Sequence, residues 1–409
     1  MTIDDLIQFA VSNNASDLHI SGQESPVIRV HGRLKNIDTP PLTEEQVTTM
    51  IDATLNDESK KLYKENWDID YCYDVEGVAR CRANAYLGTR GACASFRIIR
   101  PNVLPWESFG LPDNVKDLAK KEKGLILFTG PAGCGKSTTM TSFVDIINNT
   151  RSAHILTLED PIEFAHTPKQ CLISQRQIGE NTKSFAKALE AAMREDPDII
   201  VVGEMRDRET IQLALTAAET GHLVISTLHT NSAPKTISRI INTFPSSEQG
   251  QIRTMLGEGL LAVVSQALVP SKDKQSVVPA FEILLGTSSV KSMIRGNKIH
   301  ELSSAIETGV KYNMCTMFHS LEQLIINGTC LREDCMKFVD NPDNLPQGQE
   351  EPQYGTYQPQ YLHREQRQAT QEAADSTQNN QEVLDAIHEI EDVDIPNDPE
   401  NVSNDPVPV

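Results

Sequence analysis

The sequence predicts an α/β protein. A small α+β region comes first, then a core of parallel strands alternating with helices, then further helices and an acidic tail. Three observations carry that prediction. From about residue 113 to 285, short apolar runs alternate with helical stretches, as they do where crossover helices join parallel strands. Before that interval, apolar residues recur with period two, the mark of half-buried strands. After residue 341, Gln, Asn, Pro, Asp and Glu dominate and aromatics are few, a composition that predicts disorder.

In chain order, Ile3-Asp-Asp-Leu-Ile-Gln-Phe-Ala-Val11 has helical periodicity. His19-Ile20 and Pro26-Val-Ile-Arg-Val30 read as strands, with Val30-His-Gly-Arg33 as a turn. Ala79-Arg-Cys-Arg-Ala-Asn-Ala-Tyr86 and Ala94-Ser-Phe-Arg-Ile-Ile99 alternate in period two, as half-buried strands do. Residues 101–112 hold three prolines and read as a linker. Buried strands are expected at 124–129, 155–158, 199–202 and 223–226, with a helix over 137–147. Residues 286–340 read as helical, including 316–326. The expected organisation is therefore 1–100, linker 101–112, core 113–285, helices 286–340 and tail 341–409. Val383-Leu-Asp-Ala-Ile-His-Glu-Ile390 is an apolar island in that tail.

Composition narrows the function. The formal net charge is −20, and residues 341–409 hold 15 acidic residues against two arginines. Such acidity disfavours non-specific nucleic-acid binding. No apolar run reaches the length of about 18 residues that a membrane span needs. The N-terminus has neither the basic nor the apolar region of a secretory signal. The eight cysteines form no C-x-x-C pair, so no zinc site or disulfide framework is expected. Cys134 within a glycine-rich loop suits a reducing compartment, and a cytoplasmic protein is expected.

The chemistry-bearing segments follow in sequence. Gly130-Pro-Ala-Gly-Cys-Gly-Lys-Ser137 fits G-x-x-x-x-G-K-[ST], the phosphate-binding P-loop. The loop Gly130, Pro131, Ala132, Gly133, Cys134 and Gly135 turns backbone N–H groups inward (all but Pro131, which has none), Lys136 supplies a charge for the β/γ-phosphates, and Ser137, followed by Thr138, a hydroxyl for Mg²⁺. The strand before and the helix after aim a positive helix end at those phosphates. ATP and Mg²⁺ are the expected ligands. Leu158-Glu-Asp-Pro-Ile-Glu-Phe164 ends a strand with three carboxylates, of which Glu163 could orient or deprotonate a water. Ile199-Ile-Val-Val-Gly-Glu204 is like a Walker B strand, with Gly203 where most P-loop proteins have Asp; Glu204 could hold Mg²⁺ or activate water. His222 and His229 bracket a further strand, and their odd spacing sets them on opposite faces of a strict strand.

Together these segments resemble the secretion ATPase superfamily of type II and type IV secretion and type IV pilus motors, whose four boxes appear here in order. The chain is most similar to the PilT-type retraction ATPases, through Ala15-Ser-Asp-Leu-His-Ile20, Arg29-Val-His-Gly32, Glu195-Asp-Pro-Asp-Ile-Ile200, Gly203-Glu-Met-Arg-Asp207 and Leu213-Ala-Leu-Thr-Ala-Ala-Glu-Thr-Gly-His222. The resemblance covers about residues 1–335 and implies a PAS-like first domain, a RecA-like ATPase core and a homo-hexameric ring. It implies ATP between one subunit's core and a neighbour's first domain, with Arg82 and Arg97 resembling arginine fingers. Glu163 and Glu204 would share water activation and Mg²⁺ positioning, with Ser137 also a metal ligand. His222 and His229 would sense the nucleotide or the subunit interface. Work would pass to an inner-membrane platform protein, so the motor would be peripheral at that membrane through a partner.

One stretch departs from the family. Ser289-Val-Lys-Ser-Met-Ile-Arg-Gly296 stands where retraction ATPases read Ala-Ile-Arg-Asn-Leu-Ile-Arg-Glu. That leaves room for an accessory PilU-type ATPase, or for a mixed ring with a paralogue. Pilus-extension and type II secretion ATPases usually add an N-terminal domain and a four-cysteine zinc loop, which are not seen here, whereas the conjugation and type IV secretion branch also lacks that loop. A non-hydrolysing scaffold fits poorly with intact Lys136, Ser137, Glu163 and Glu204.

Overall fold

A computed structural model describes residues 1–348 apart from 31, 100–102 and 275. Nearly all of the expected tail, with its island at 383–390, lies outside those residues, as do His31 of the expected turn and the first two residues of the expected linker.

Local signals set the first helix. The Thr2 hydroxyl accepts the Asp5 N–H at 3.2 Å and the Asp5 carboxylate accepts the Thr2 N–H at 2.7 Å. Helix α1 (Ile3–Ser12) then buries Ile3, Leu6, Ile7 and Ala10 along one stripe. Strands β1 (Asp17–Ser21), β2 (Val27–Val30) and β3 (Arg33–Asn36) follow, then helices α2 (Glu44–Thr54) and α3 (Asp57–Asn66). Strands β4 (Asp68–Val75), β5 (Ala79–Gly88) and β6 (Gly91–Ile99) complete an antiparallel sheet of order β3-β2-β1-β6-β5-β4. Period two sorts its residues. Leu18, Ile28, Ala83 and Phe96 join α1 and α2 in one apolar core. Directly opposed residues share a face, so Arg29, Asp17, Arg97 and Arg82, aligned across β2, β1, β6 and β5, lie on the other.

The second half is α/β. A 3-10 turn (Trp106–Phe109) and α4 (Asp113–Lys116) precede β7 (Gly124–Thr129), α5 (Lys136–Thr150), β8 (His154–Glu159), β9 (Leu172–Gln177), α6 (Phe185–Ala192) and β10 (Ile199–Val202). Then come α7 (Arg208–Thr220), β11 (Leu223–Leu228), α8 (Ala233–Asn242), α9 (Gln249–Gly259), β12 (Leu260–Pro270) and β13 (Val277–Leu285). The sheet order is β13-β12-β7-β11-β10-β8-β9, parallel throughout except that β13 runs antiparallel to β12. Every residue of β7, β10 and β11 is buried, as helices on both faces require. Three strands of this sheet were not among those expected, nor was β4 of the first sheet. β9 is polar, with Leu172 exposed at the sheet edge. β12 follows α9 directly after Gly259, and β13 returns antiparallel to it.

The expected linker is anchored in its second half. Trp106 is buried, its ring 5.6 Å from that of Phe143 on α5, and Phe109 and Leu111 are buried beside it. Beyond β13 come α10 (Ser288–Arg295), α11 (Leu302–Thr308), α12 (Met317–Ile326) and α13 (Arg332–Cys335). α10 lies close on α9 at Gly257, where a Cβ would stand 2.8 Å from Arg295 Cγ and 3.1 Å from the Lys291 carbonyl oxygen. There Lys291 Nζ donates to the Glu258 carbonyl at 2.8 Å.

Trp106→Ala removes the largest side chain between this segment and α5. It should cost about 3–5 kcal/mol of stability, read as a lower melting midpoint by circular dichroism. An unchanged midpoint would mean that the segment is not part of the folded core.

Candidate active site

The loop between β7 and α5 is shaped by close approach. Gly130 has φ of 145°, and a Cβ there would lie 2.4 Å from the carbonyl oxygen of Gln266 on β12. Gly135, at φ 84°, occupies the N-cap of α5 without a side-chain cap, so the first N–H groups of that helix keep no side-chain partner. An anion at that end would receive those N–H groups and the positive helix terminus. Gln266 also accepts the Thr139 hydroxyl at 2.8 Å, and the Thr129 and Ser265 hydroxyls are 2.7 Å apart, so β12 is the floor of the loop.

Lys136 is buried, and its Nζ donates to the carbonyl oxygens of Gly130 and Pro131, both at 2.9 Å. Burial lowers the pKa of this ammonium, while Cys134, Glu204 and Glu163 act in the opposite direction. Both carboxylates therefore lie within electrostatic reach of the lysine. Cys134 is buried and its thiol is pushed up by that burial. Ser137 is half-buried and Thr138 exposed in the first turn of α5; Pro131, Ala132 and Gly133 form the exposed rim.

The ends of neighbouring parallel strands bring the acidic groups to the same edge. Glu204 follows β10, with its side chain 13% exposed. One carboxylate oxygen is 2.6 Å from Arg206 Nε, and the other is 3.2 Å from Nε2 of His229, which follows β11. Gly203 N–H donates to the Leu158 carbonyl at 2.8 Å. A Cβ at 203 would sit 3.2 Å from that oxygen and 3.8 Å from Glu159 Cγ, so a glycine here accompanies a glutamate at the end of β8.

Glu159 accepts from the Thr157 hydroxyl at 2.6 Å and from Gln175 Nε2 at 3.1 Å. Burial raises its pKa; those hydrogen bonds oppose the rise and the Glu163 charge adds to it. Glu163 itself is exposed. Its loop is pinned by β9: Gln177 Oε1 accepts the Ile162 N–H at 3.0 Å, Gln175 Nε2 donates to the Phe164 carbonyl at 2.9 Å, and Gln175 Oε1 accepts the His166 N–H at 2.8 Å.

Glu163, Glu204 and His229 thus gather at the edge that carries Lys136. His222 stands at the opposite end of β11, roughly 20 Å away along the strand, where its Nδ1 pairs with the Ala217 carbonyl at 3.1 Å and closes α7. Arg82 and Arg97 lie on the first sheet, opposite each other in register, beside a shallow cavity of about 190 Å³ that Asp17, Asp70 and Asn84 also line.

Sequence reasoning missed Gln266, Arg206 and Glu282. Glu282, on β13, accepts the Ala233 N–H at 2.7 Å and so holds the start of α8, just after His229. Burial raises its pKa, with backbone N–H groups opposing. The one available signal was a lone carboxylate inside the apolar run 280–285. Chemically, the edge offers loop N–H groups and an ammonium for phosphates, a hydroxyl and a carboxylate for a hydrated divalent cation, and two carboxylates for a water. A small cation that keeps several waters, such as Mg²⁺, fits that sparse oxygen donor set.

The chain is similar to several known proteins. A family model described as type II/IV secretion system protein matches residues 1–316. The chain is 46% identical over 345 residues to a type IV pilus retraction ATPase, PilT, of Pseudomonas aeruginosa, covering 84% of this chain and all of that one. It is 45% identical over 321 residues to a twitching motility protein of Neisseria gonorrhoeae, covering 78% and 86%. Among solved structures, the pilus retraction motor PilT with bound ADP is similar at a TM-score of 0.79 and 40% identity, covering 84% of this chain and 99% of that one.

His166 gives the site a pH dependence. Burial lowers its pKa to about 4 from an ordinary 6.5, so the folded chain keeps it neutral. The stability it contributes is present above pH 6.5 and is lost as pH falls through about 4. The loss should reach roughly 3 kcal/mol at pH 4. His166→Gln should flatten the melting midpoint between pH 6.5 and 4 relative to wild type; parallel curves would contradict the assignment.

Proposed function

The chain belongs to the type II/IV secretion system protein family, and on that premise we propose that it is an ATP-hydrolysing motor of type IV pilus retraction, the movement behind twitching motility. The observation that carries the reading is the convergence of the P-loop lysine, Glu163, Glu204 and His229 on one sheet edge, in a chain similar over 84% of its length to a retraction ATPase.

The residues divide the work as follows. The N–H groups of residues 132–135 cradle the phosphates, and Lys136 Nζ exchanges the Gly130 and Pro131 carbonyls for phosphate oxygens. The Ser137 hydroxyl, with Thr138 beside it, and Glu204 would hold Mg²⁺, which would supply charge to offset that of the phosphates. Glu204 and Glu163 orient the attacking water and take its proton, and His229 steadies Glu204. Arg82 and Arg97 act on the nucleotide of a neighbouring subunit, where charge builds on the transferring phosphoryl oxygens. His222, at the far edge, serves the subunit interface.

Residues 1–100 form a PAS-like module and 113–285 a RecA-like core, and six copies make a cytoplasmic ring. The ring pushes on an inner-membrane platform protein and reaches the membrane through it. Among the described residues no helix is long and apolar enough to cross a membrane. One observation favours a second reading, an accessory PilU-type ATPase: Ser289-Val-Lys-Ser-Met-Ile-Arg-Gly296 departs from the retraction motif over α10.

Lys136→Ala should abolish nucleotide binding. Glu204→Gln should keep binding and lower turnover by about 100-fold or more, measured by fluorescent-nucleotide titration and phosphate release. Wild-type turnover in Glu204→Gln would overturn the catalytic assignment. Cells lacking the gene should carry many surface pili and fail to twitch. Bald cells would mean extension, and unchanged pili with a lost secretion or conjugation phenotype would move the chain to another branch.

A further inference from the structure

The segment Ala15-Ser-Asp-Leu-His-Ile20 holds a group that the mechanism above leaves unused. Asp17 starts β1, the strand between β2 and β6. It stands opposite Arg29 on one side and Arg97 on the other, and Arg97 stands opposite Arg82. The row across the open face is thus Arg29, Asp17, Arg97, Arg82: one carboxylate among three guanidinium groups. Like charges directly opposite repel across a sheet, so Arg97 and Arg82 do not hold each other.

Asp17 does hold Arg97. Its side chain is 10% exposed, and one oxygen accepts Arg97 Nε at 3.0 Å. The other accepts the Ser16 hydroxyl at 2.8 Å and lies 3.7 Å from Arg29 Nε. Burial works to raise the carboxyl pKa, but the hydrogen bonds from Ser16 and Arg97 and the Arg97 charge leave it below the usual range, so the group is ionised at neutral pH. The Arg97 side chain is 71% exposed, and its bond to Asp17 uses Nε alone. A guanidinium held by Nε keeps its two terminal nitrogens for a second, bidentate partner, the geometry that suits phosphate oxygens.

We propose that Asp17 is the positioning residue for Arg97: it grips the Nε edge of the guanidinium and presents the two Nη groups to the phosphates of the nucleotide. The inference rests on the reading that Arg97 serves a nucleotide. Asp17 itself touches no phosphate; it removes the rotational freedom of a long exposed side chain, which would otherwise have to be ordered at each turnover.

The test is a double-mutant cycle on the full chain in its assembled form, reading kcat and KM for ATP with the melting midpoint alongside. Asp17→Asn should lower kcat about tenfold and leave KM within about twofold, because the interaction is made in the transition state. In an Arg97→Ala background the same change should lower kcat by less than about twofold, because its route is already gone. Arg29→Ala should leave kcat within about twofold of wild type, since that arginine sits on the other side of Asp17. An equal drop from Asp17→Asn in both backgrounds would overturn the proposal and mark Asp17 as structural. So would unchanged kcat in Asp17→Asn alone, or an equally large drop in Arg29→Ala. Wild-type kcat in Arg97→Ala would overturn the reading beneath it, that Arg97 serves the nucleotide, and this proposal with it.

Discussion

The hydrogen-bonded register of four parallel strands is the constraint on which the rest of the structure depends. Leu228 is level with Thr129, Ser226 with Val202, and Val202 with Leu158. The chain therefore leaves β7, β11, β10 and β8 at a common edge, and the P-loop, His229, Glu204 and Glu163 leave with it. A slip of one residue in any pair would turn that strand's side chains to the opposite face and separate these groups. The register holds because the central strands are apolar on both faces and helices cover both. β12 reaches its place through an irregularity between Leu260 and Ala262, which sets Ser265 opposite Thr129 and brings Gln266 beneath the loop.

Charge at that edge is held in pairs that can be exchanged. A buried ammonium is costly without partners, and here two loop carbonyls supply them. Glu204 is nearly buried, but its partners Arg206 and His229 are 72% and 50% exposed and turn away easily. Glu204 is thus held by exposed partners, and Lys136 by the backbone of its own loop. The groups that shape the loop, Gln266, Thr139 and Ser265, are fully enclosed. Glu282 extends this division outward, tying the start of α8 to β13.

The first sheet solves a different problem with the same periodicity. Helices cover one face, and the other carries the row of charges centred on Asp17. An antiparallel sheet tolerates one open face because alternation keeps its apolar residues on the covered side. That is why Arg82 and Arg97 are presented outward by strands whose intervening residues, Cys81, Ala83 and Phe96, are enclosed.

The sequence alone determined the α/β class, most of the central strands, the P-loop with its lysine and hydroxyl, and the carboxylates at 163 and 204, since each is a local signal of period or spacing. Strands β9, β12 and β13 were not legible: one is a polar edge, and the other two form an antiparallel return that follows a helix directly. The sequence already set His222 and His229 at the two ends of a strand; the tertiary structure decided which of those ends carries the P-loop and Glu204. It also brought Asp17 to Arg97 and Gln266 to the P-loop across 80 and 127 residues of sequence. Spacing along the chain holds no trace of such pairings, because they follow from strand order, which is decided when the sheets close.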